Sequence, residues 1–163
     1  MSDIVTLQRI LTENQRIAIV GLSASWYRPS YFAAKYLLDY GYDVIPVNPR
    51  YDEVLGCKCY PDLQSIPVKV DVVDCFRRSE DIPPIAHEAV KIGARVLWMQ
   101  LGVTNQEARD IAESAGLDVI EDRCMKIEYA RLFGGLNFIG VNTKVITSRR
   151  LPPPPNTMRQ DRG

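Results

Sequence analysis

The turn after the first apolar strand contains the residue types that can hold an anionic phosphate. A continuous apolar run ends in Gly21, and Ser23, Ala24 and Ser25 follow it closely. Glycine permits a tight turn, backbone amides and serine hydroxyls can donate to phosphate oxygens, and a helix predicted to begin at Ser30 would direct its positive end at the same space. The second and third glycines of a dinucleotide fingerprint are missing. Because an ordinary strand-to-helix turn would use the same residues, both interpretations remain open at this point.

The end of the second predicted strand helps to distinguish between nucleotides. Folds that bind NAD usually place an acid there to bond a ribose hydroxyl, whereas this chain has Asn48, Pro49 and Arg50. The missing acid weighs against NAD, and Arg50 could instead meet a ribose phosphate, as in NADP or the 3′-phosphate of coenzyme A. Arg28 and Arg77 could add positive charge. For each arginine taken alone, a solvated surface position is the alternative.

Catalytic groups are sparse in the sequence. His87 is the single histidine, and no nucleophile or third residue accompanies it, so a surface or packing role is favoured. Cys124 follows the fifth predicted strand and could exchange with a ligand thiol if it were exposed and its pKa were lowered, although an inert buried thiol is favoured. Cys57 and Cys59 lack the spacing of zinc or thioredoxin motifs. We therefore expect neither a catalytic residue nor a metal site.

The elements that must position these residues alternate between strands and helices. Buried-strand patterns occupy residues 16–22, 42–48, 70–76, 95–100 and 117–121, and helical patterns separate and flank them. This order predicts a doubly wound parallel sheet of the Rossmann type in three αβα layers, with the first strand at its centre. Ligands of such sheets sit at the carboxyl ends of the strands, where the strand order reverses.

Length, composition and charge place the chain among ordinary globular domains. Its 163 residues fit one domain, which we assign to residues 1–142, followed by a Pro-rich tail at 143–163 that is predicted to be disordered. The 20 basic and 20 acidic residues balance, so no nucleic-acid partner is expected. Apolar runs fall short of the roughly 20 residues of a membrane span, and no secretory signal is visible, which favours a cytoplasmic protein.

Five motifs in order carry a resemblance to a known family. They comprise residues 21–23 (GLS), 41–49 (GYDVIPVNP), 76–79 (FRRS), 98–103 (WMQLGV) and 122–126 (DRCMK). Together they resemble the small stand-alone CoA-binding proteins, which are similar in turn to the N-terminal CoA-binding domain of the succinyl-CoA synthetase alpha subunit and of ADP-forming acyl-CoA synthetases. The resemblance covers about residues 5–133.

What the resemblance implies is coenzyme A bound along the carboxyl ends of the strands. The phosphate side would fall on Gly21, Ser23, Ala24 and Arg28, with Asn48 and Pro49 beside them, the nucleotide near Phe76 and Arg77, and the pantetheine arm bordered by Gln100 through Gly102. The synthetases also need a domain with a phosphorylated histidine, for which this chain shows no counterpart.

Three hypotheses of different classes remain open. The leading one is a non-catalytic module that binds coenzyme A or an acyl-CoA as a carrier, sensor or subunit. The others are an NADP-linked oxidoreductase on the same fold and the CoA-binding half of a two-chain acyl-CoA synthetase. Neither the acylation state of the ligand nor a possible homodimer or partner protein is determined by the sequence.

Overall fold

Short apolar strands and amphipathic helices alternate along the chain in a computed structural model, which describes residues 4–133. The elements are α1 (Ile4–Glu13), β1 (Arg16–Val20), α2 (Pro29–Asp39), β2 (Asp43–Val47), β3 (Glu53–Val54), β4 (Cys57–Lys58), β5 (Val72–Cys75), α3 (Ile82–Lys91), β6 (Val96–Met99), α4 (Gln106–Ser114), β7 (Asp118–Ile120) and α5 (Met125–Phe133). Single 3₁₀ turns lie at Leu63–Ser65 and Ser79–Asp81.

Five of the strands form one parallel sheet in the order β2-β1-β5-β6-β7. The chain steps from β1 to β2 on one side and then returns past β1 to build β5, β6 and β7 on the other, so the strand order reverses between β1 and β5. The predicted Rossmann-type parallel sheet is therefore confirmed. The prediction that the first strand is central is wrong, because β5 occupies the middle of the sheet and β1 lies beside it.

Two helical layers cover the sheet, one on each face. Helices α1, α2 and α5 pack with the side chains that point to the first face, which include Ile17, Ile19 and Trp98. Helices α3 and α4 cover the opposite face mainly through alanines, which allow a close approach of helix to sheet. The three-layer arrangement follows from the strands themselves, since residues buried on both faces need a helix on each side.

The start of α2 differs from its prediction, and α4 has a side-chain cap. Helix α2 begins at Pro29 with Arg28 in the N-cap position, so Ser30 lies inside the first turn instead of capping the helix. Proline at the first helical position needs no hydrogen-bond acceptor, which favours the earlier start. Helix α4 is capped by Asn105, whose side-chain oxygen accepts a hydrogen bond from the Ala108 amide at 2.8 Å.

The segment between β2 and β5 contains a short hairpin. Strands β3 and β4 pair antiparallel, with Leu55 and Gly56 both at positive φ in the turn between them.

No helix within residues 4–133 is long and apolar enough to cross a membrane. The predicted tail at 143–163 and the last nine residues assigned to the domain lie outside the described residues.

Candidate functional site

Gly21 occupies a position where only glycine fits. Its φ is +91°, and a Cβ atom built there would lie 2.6 Å from the carbonyl oxygen of Phe76 and 2.9 Å from Cδ of Arg77. Left-handed backbone disfavours other residues, and the close approach removes the remaining space for a side chain. The turn after β1 and the loop after β5 therefore touch at the point where the strand order reverses.

Residues 21–30, here called the Gly21 turn, are organised by their own serines. The Ser30 hydroxyl accepts a hydrogen bond from the Ser23 amide at 3.0 Å, and the Ser23 hydroxyl accepts one from the Ser25 amide at 3.0 Å. Within residues 4–133 no acceptor pairs with the amide of Ala24. The turn also leads into the amino-terminal end of α2, so it offers donors and a positive dipole to an anion.

Asn48 connects the end of β2 to the Gly21 turn. Its side-chain nitrogen donates to the Leu22 carbonyl at 3.1 Å, and its side-chain oxygen accepts from the Arg50 amide at 2.9 Å. The nitrogen thus ties the end of β2 to the Gly21 turn, and the oxygen orders the backbone that leads to Arg50. Pro49, which follows, is exposed beside them.

The arginines at this edge differ in whether they already have an acidic partner. Arg77 lies 3.6 Å from Asp81 in an ion pair, which competes with any ligand for its guanidinium group. Arg28 and Arg50 are exposed and form no ion pair with any residue of the described range 4–133. Arg28 instead sits 5.9 Å from the ring centroid of Tyr27. Among the arginines at this edge, these two therefore remain available to an anionic ligand.

A largely apolar cavity of about 570 Å³ opens next to the Gly21 turn. Four separate segments contribute its walls, which consist of Tyr27, Pro29, Phe32, Ala33, Phe76, Gln100, Leu101, Val103, Cys124, Lys126 and Ile127. Tyr27, Phe32, Leu101 and Ile127 each keep about half or more of their surface exposed. Exposed apolar groups around a concave surface are typical of a ligand site.

Hydrogen bonds between loops hold the far side of this cavity. Asp122 adopts a positive φ of 54°, and its carboxylate accepts a hydrogen bond from the Gly102 amide at 2.6 Å. The Trp98 indole donates to the Arg123 carbonyl at 2.7 Å. The loops after β6 and β7 are thereby joined, and Leu101 and Cys124 are brought to the same cavity.

Cys124 is half-buried at the start of α5 and lines the cavity. Burial raises the pKa of its thiol, and the nearby Asp74 adds to that effect, whereas hydrogen bonds from the Ile127 and Lys126 amides and the charge of Lys126 lower it in part. A thiol kept protonated in this way is a poor nucleophile. The geometry thus favours the unreactive alternative for Cys124, although it places the sulfur at the cavity wall.

Gln100 is the buried polar residue of the cavity wall. It is 3% exposed, and its side-chain nitrogen donates to Asp74 at 2.5 Å. Asp74 lies in the middle of the sheet with no exposed surface, and burial raises the pKa of its carboxyl to about 7 while the Gln100 hydrogen bond lowers it in part. A buried carboxyl group at this place was not identified from the sequence.

The predicted site residues fall into two groups in space. Gly21, Ser23, Ala24, Asn48 and Arg77 belong to loops that touch one another at the ends of β1, β2 and β5. Phe76 and Gln100 line the cavity, and Gly102 lies between two of its wall residues, Leu101 and Val103. His87 is exposed on α3 and does not line the cavity.

Several residues of the cavity wall were not predicted from the sequence. Tyr27 precedes α2, Phe32 falls outside the buried positions of α2, and Ile127 falls outside those of α5. The departure of Phe32 and Ile127 from the helical pattern is a signal of a further partner, because a large apolar side chain on a solvent face marks an interaction site.

The chain is similar in sequence and fold to known proteins. A family model described as "CoA binding domain" matches residues 15–130. The uncharacterized protein YneT of Bacillus subtilis is 42% identical over 124 residues, which cover 76% of this chain and 92% of YneT. A solved structure of a hypothetical protein from Pyrococcus horikoshii is 44% identical, with a TM-score of 0.79 over 80% of this chain and 92% of that one.

Longer enzymes match over only a part of their length. An ADP-forming acetate–CoA ligase of Methanocaldococcus jannaschii is 25% identical over 152 residues, which are 81% of this chain but 22% of the ligase. The dinucleotide-forming acetyl-coenzyme A synthetase 1 of Ca. Korarchaeum cryptofilum is 29% identical, with a TM-score of 0.63 over 71% of this chain and 27% of that one. With most of its described residues matched by the family model, the chain belongs to the CoA binding domain family.

Proposed function

We propose that this protein binds coenzyme A or an acyl-CoA across the carboxyl ends of the sheet, as a non-catalytic carrier, sensor or subunit. The observation that carries the proposal is the continuity between a donor-rich turn and an apolar cavity. Phe76 touches the Gly21 turn through its carbonyl oxygen and also lines the cavity. A ligand that fills both places needs an anionic end joined to a long arm, which is the shape of coenzyme A.

The phosphates would lie on the Gly21 turn. The amide of Ala24, the start of α2 and the guanidinium group of Arg28 all offer positive charge or donors there. Arg50 follows Asn48 at the end of β2 and would meet the 3′-phosphate of the ribose. Since β2 ends without an acid, the site lacks the group that usually bonds the ribose hydroxyls of NAD.

The pantetheine arm would run from the Gly21 turn past Phe76 into the cavity. Its mixture of methylene groups and amides suits walls that are mainly apolar with a few polar atoms. An acyl group on the thiol would extend the same arm toward Cys124 and Ile127. The proposal of a binding role without catalysis rests on the protonated state of Cys124 and on the position of His87 away from the cavity.

A second candidate function is the CoA-binding part of a two-chain acyl-CoA synthetase. It is favoured by the similarity to acetate–CoA ligases, of which this chain spans less than a quarter. In that case a separately encoded partner would supply the phosphorylatable histidine. The isolated chain should then still bind coenzyme A, and it should form acetyl-CoA from acetate, coenzyme A and ATP only when that partner is added.

Titration calorimetry with CoA, acetyl-CoA, NADP and NAD tests the leading proposal. We expect the isotherm for CoA or acetyl-CoA to be the tightest, because only those ligands place an amide-containing arm in the cavity. A tighter isotherm for either nicotinamide nucleotide would overturn the proposal. Steady turnover of acetate, CoA and ATP by the isolated chain would contradict the non-catalytic role.

A further inference from the structure

Asp74 is a carboxyl group in the centre of the sheet with no exposed surface. It lies in β5 between Ile19 of β1 and Trp98 of β6, both of which are apolar core residues. One of its oxygens accepts the hydrogen bond from Gln100, and the other has no hydrogen-bond partner among residues 4–133. Burying a carboxyl group without full hydrogen bonding is costly, so its presence in an otherwise apolar layer calls for a role beyond packing.

The contact with Asp74 determines which way the Gln100 amide faces. An ionised carboxylate can only accept hydrogen bonds, so it selects the NH₂ side of the amide. The carbonyl oxygen Oε1 then lies on the other side, and within residues 4–133 no donor pairs with it. Because Gln100 lines the cavity, this oxygen is the acceptor that the buried amide offers to a ligand.

The other residues of the cavity wall allow the Gln100 oxygen to discriminate between ligands. Most of the lining side chains are apolar, Lys126 offers a cation, and the Cys124 sulfur already receives hydrogen bonds from the amides of Lys126 and Ile127. A ligand N–H that entered this part of the cavity without meeting Oε1 would lose its hydrogen bonds to water. An unpaired buried donor costs about 1 to 3 kcal/mol, which is enough to discriminate between ligands.

We propose that Asp74 is a positioning residue, which holds the Gln100 amide with its oxygen toward the cavity so that it accepts a hydrogen bond from an amide N–H of the ligand's arm. The inference rests on the proposed function, since it takes the arm to be that of coenzyme A. The inference also predicts which ligands the cavity prefers. An arm with a secondary amide at this depth should bind more tightly than an arm that is apolar or that carries only hydrogen-bond acceptors. Asp74 itself does not touch the ligand.

The test compares two ligands that share the phosphates but differ in the arm. CoA carries the pantetheine arm, and 3′-phospho-ADP lacks it, so the ratio of their affinities isolates the cavity. Titrations at pH 8, above the pKa of about 7 for Asp74, keep the carboxyl group mainly ionised. Gln100→Met removes the acceptor at similar volume, and we expect it to lower the preference for CoA about tenfold.

Asp74→Val should lower the same preference about threefold, because the amide is then free to turn either way. Asp74→Asn, which keeps an oxygen opposite Gln100, should restore most of it. Combining Asp74→Val with Gln100→Met should lower the preference no further than Gln100→Met alone, because Asp74 acts through Gln100. Asn14→Ala is the matched control, since it removes a buried polar side chain at the amino-terminal end of β1, away from the cavity.

The possible results separate this inference from the proposed function. A wild-type protein that does not bind CoA overturns the proposed function and the inference with it. Wild-type binding combined with additive effects of Asp74→Val and Gln100→Met, with equal losses for both ligands, or with no loss at all overturns the inference alone. Circular dichroism confirms that each variant is folded, and Asp74→Ala replaces Asp74→Val if the valine variant is unfolded.

Discussion

The Gly21 turn and the walls of the cavity lie at the same edge of the sheet, yet they are held in place by different means. The turn is stabilised by contacts among neighbours in sequence, such as the hydrogen bonds of Ser23 and Ser30. The cavity is assembled from four segments that meet only because the strand order brings them together.

This difference implies different responses to substitution. A change in the turn alters local backbone geometry and the charge available to phosphates, so it should act on every ligand that carries them. A change at Gln100 or Asp74 alters one hydrogen bond within a packed layer, so it should act on stability and on the arm of the ligand. The comparison therefore predicts that the phosphate end and the arm end of the site can be impaired independently.

The largest effect is expected at Gly21, where the two ends of the site meet. Gly21→Ala combines a positive φ with a clash against the Phe76 carbonyl oxygen, and we expect a loss of about 3 kcal/mol in the free energy of unfolding together with loss of CoA binding. Urea denaturation and calorimetry measure the two quantities.

Gly116→Ala provides the matched control for that strain. Gly116 has a φ of +90° but nothing within 4 Å of a built Cβ, so its substitution should cost only about 1 kcal/mol. If the two variants were equally destabilised, the close contact between the Gly21 turn and Phe76 would not add to the cost of the Gly21 substitution.

Arg28 tests the phosphate end by itself. Arg28→Ala should weaken CoA binding by roughly 1.5 to 3 kcal/mol, the range for a charge-assisted hydrogen bond, and should leave the melting temperature of the free protein nearly unchanged.

Arg77→Ala should weaken binding less, because Asp81 already competes for that guanidinium group. Arg95, exposed at the start of β6, serves as a control whose removal should change nothing. A larger loss for Arg77→Ala than for Arg28→Ala would reverse this assignment.

At the arm end of the site, the buried Asp74 should make the free energy of unfolding depend on pH. Burial raises the pKa of its carboxyl from 3.8 to about 7, so between these pH values the folded protein retains a proton that the unfolded chain releases. The contribution of Asp74 to stability should therefore fall as the pH rises from about 4 to about 7 and remain unfavourable above that, because the buried group is then ionised.

Asp74→Asn removes this penalty, and we expect it to raise the free energy of unfolding by about 1 to 2 kcal/mol at pH 8 and by less at pH 5. Denaturation of both proteins at the two pH values is the measurement. An equal gain at both pH values, or a loss at pH 8, would show that the carboxyl group is not destabilised by burial.

The smallest effect is expected at Arg50. Its substitution distinguishes a contact with the 3′-phosphate from contacts with the other phosphates. If Arg50 meets the 3′-phosphate, Arg50→Ala should weaken CoA binding about fivefold and leave dephospho-CoA binding unaffected. Calorimetry with the two ligands decides the point. Equal losses, or none, would assign Arg50 to the solvated surface.

The sequence by itself determined the architecture and one end of the site. Apolar runs flanked by helical patterns predict a parallel sheet with helices on both faces, since only that arrangement buries such strands. Gly21 and the serines after it also form a recognisable turn. Such signals are readable because turn formation and helix capping depend on residues close together in the chain, although the choice between Ser30 and Arg28 as the cap shows that nearby candidates compete.

Only the tertiary structure decided the central strand, the burial of Asp74 and the composition of the cavity. In the sequence Asp74 is one acid in an apolar run, and it becomes a buried carboxyl group because β5 lies between β1 and β6. Likewise Phe32 and Ile127 become walls of one cavity only because the crossovers bring their segments to one edge of the sheet. The physical reason is that contacts between distant segments depend on strand order and helix packing, which no local pattern of residues encodes.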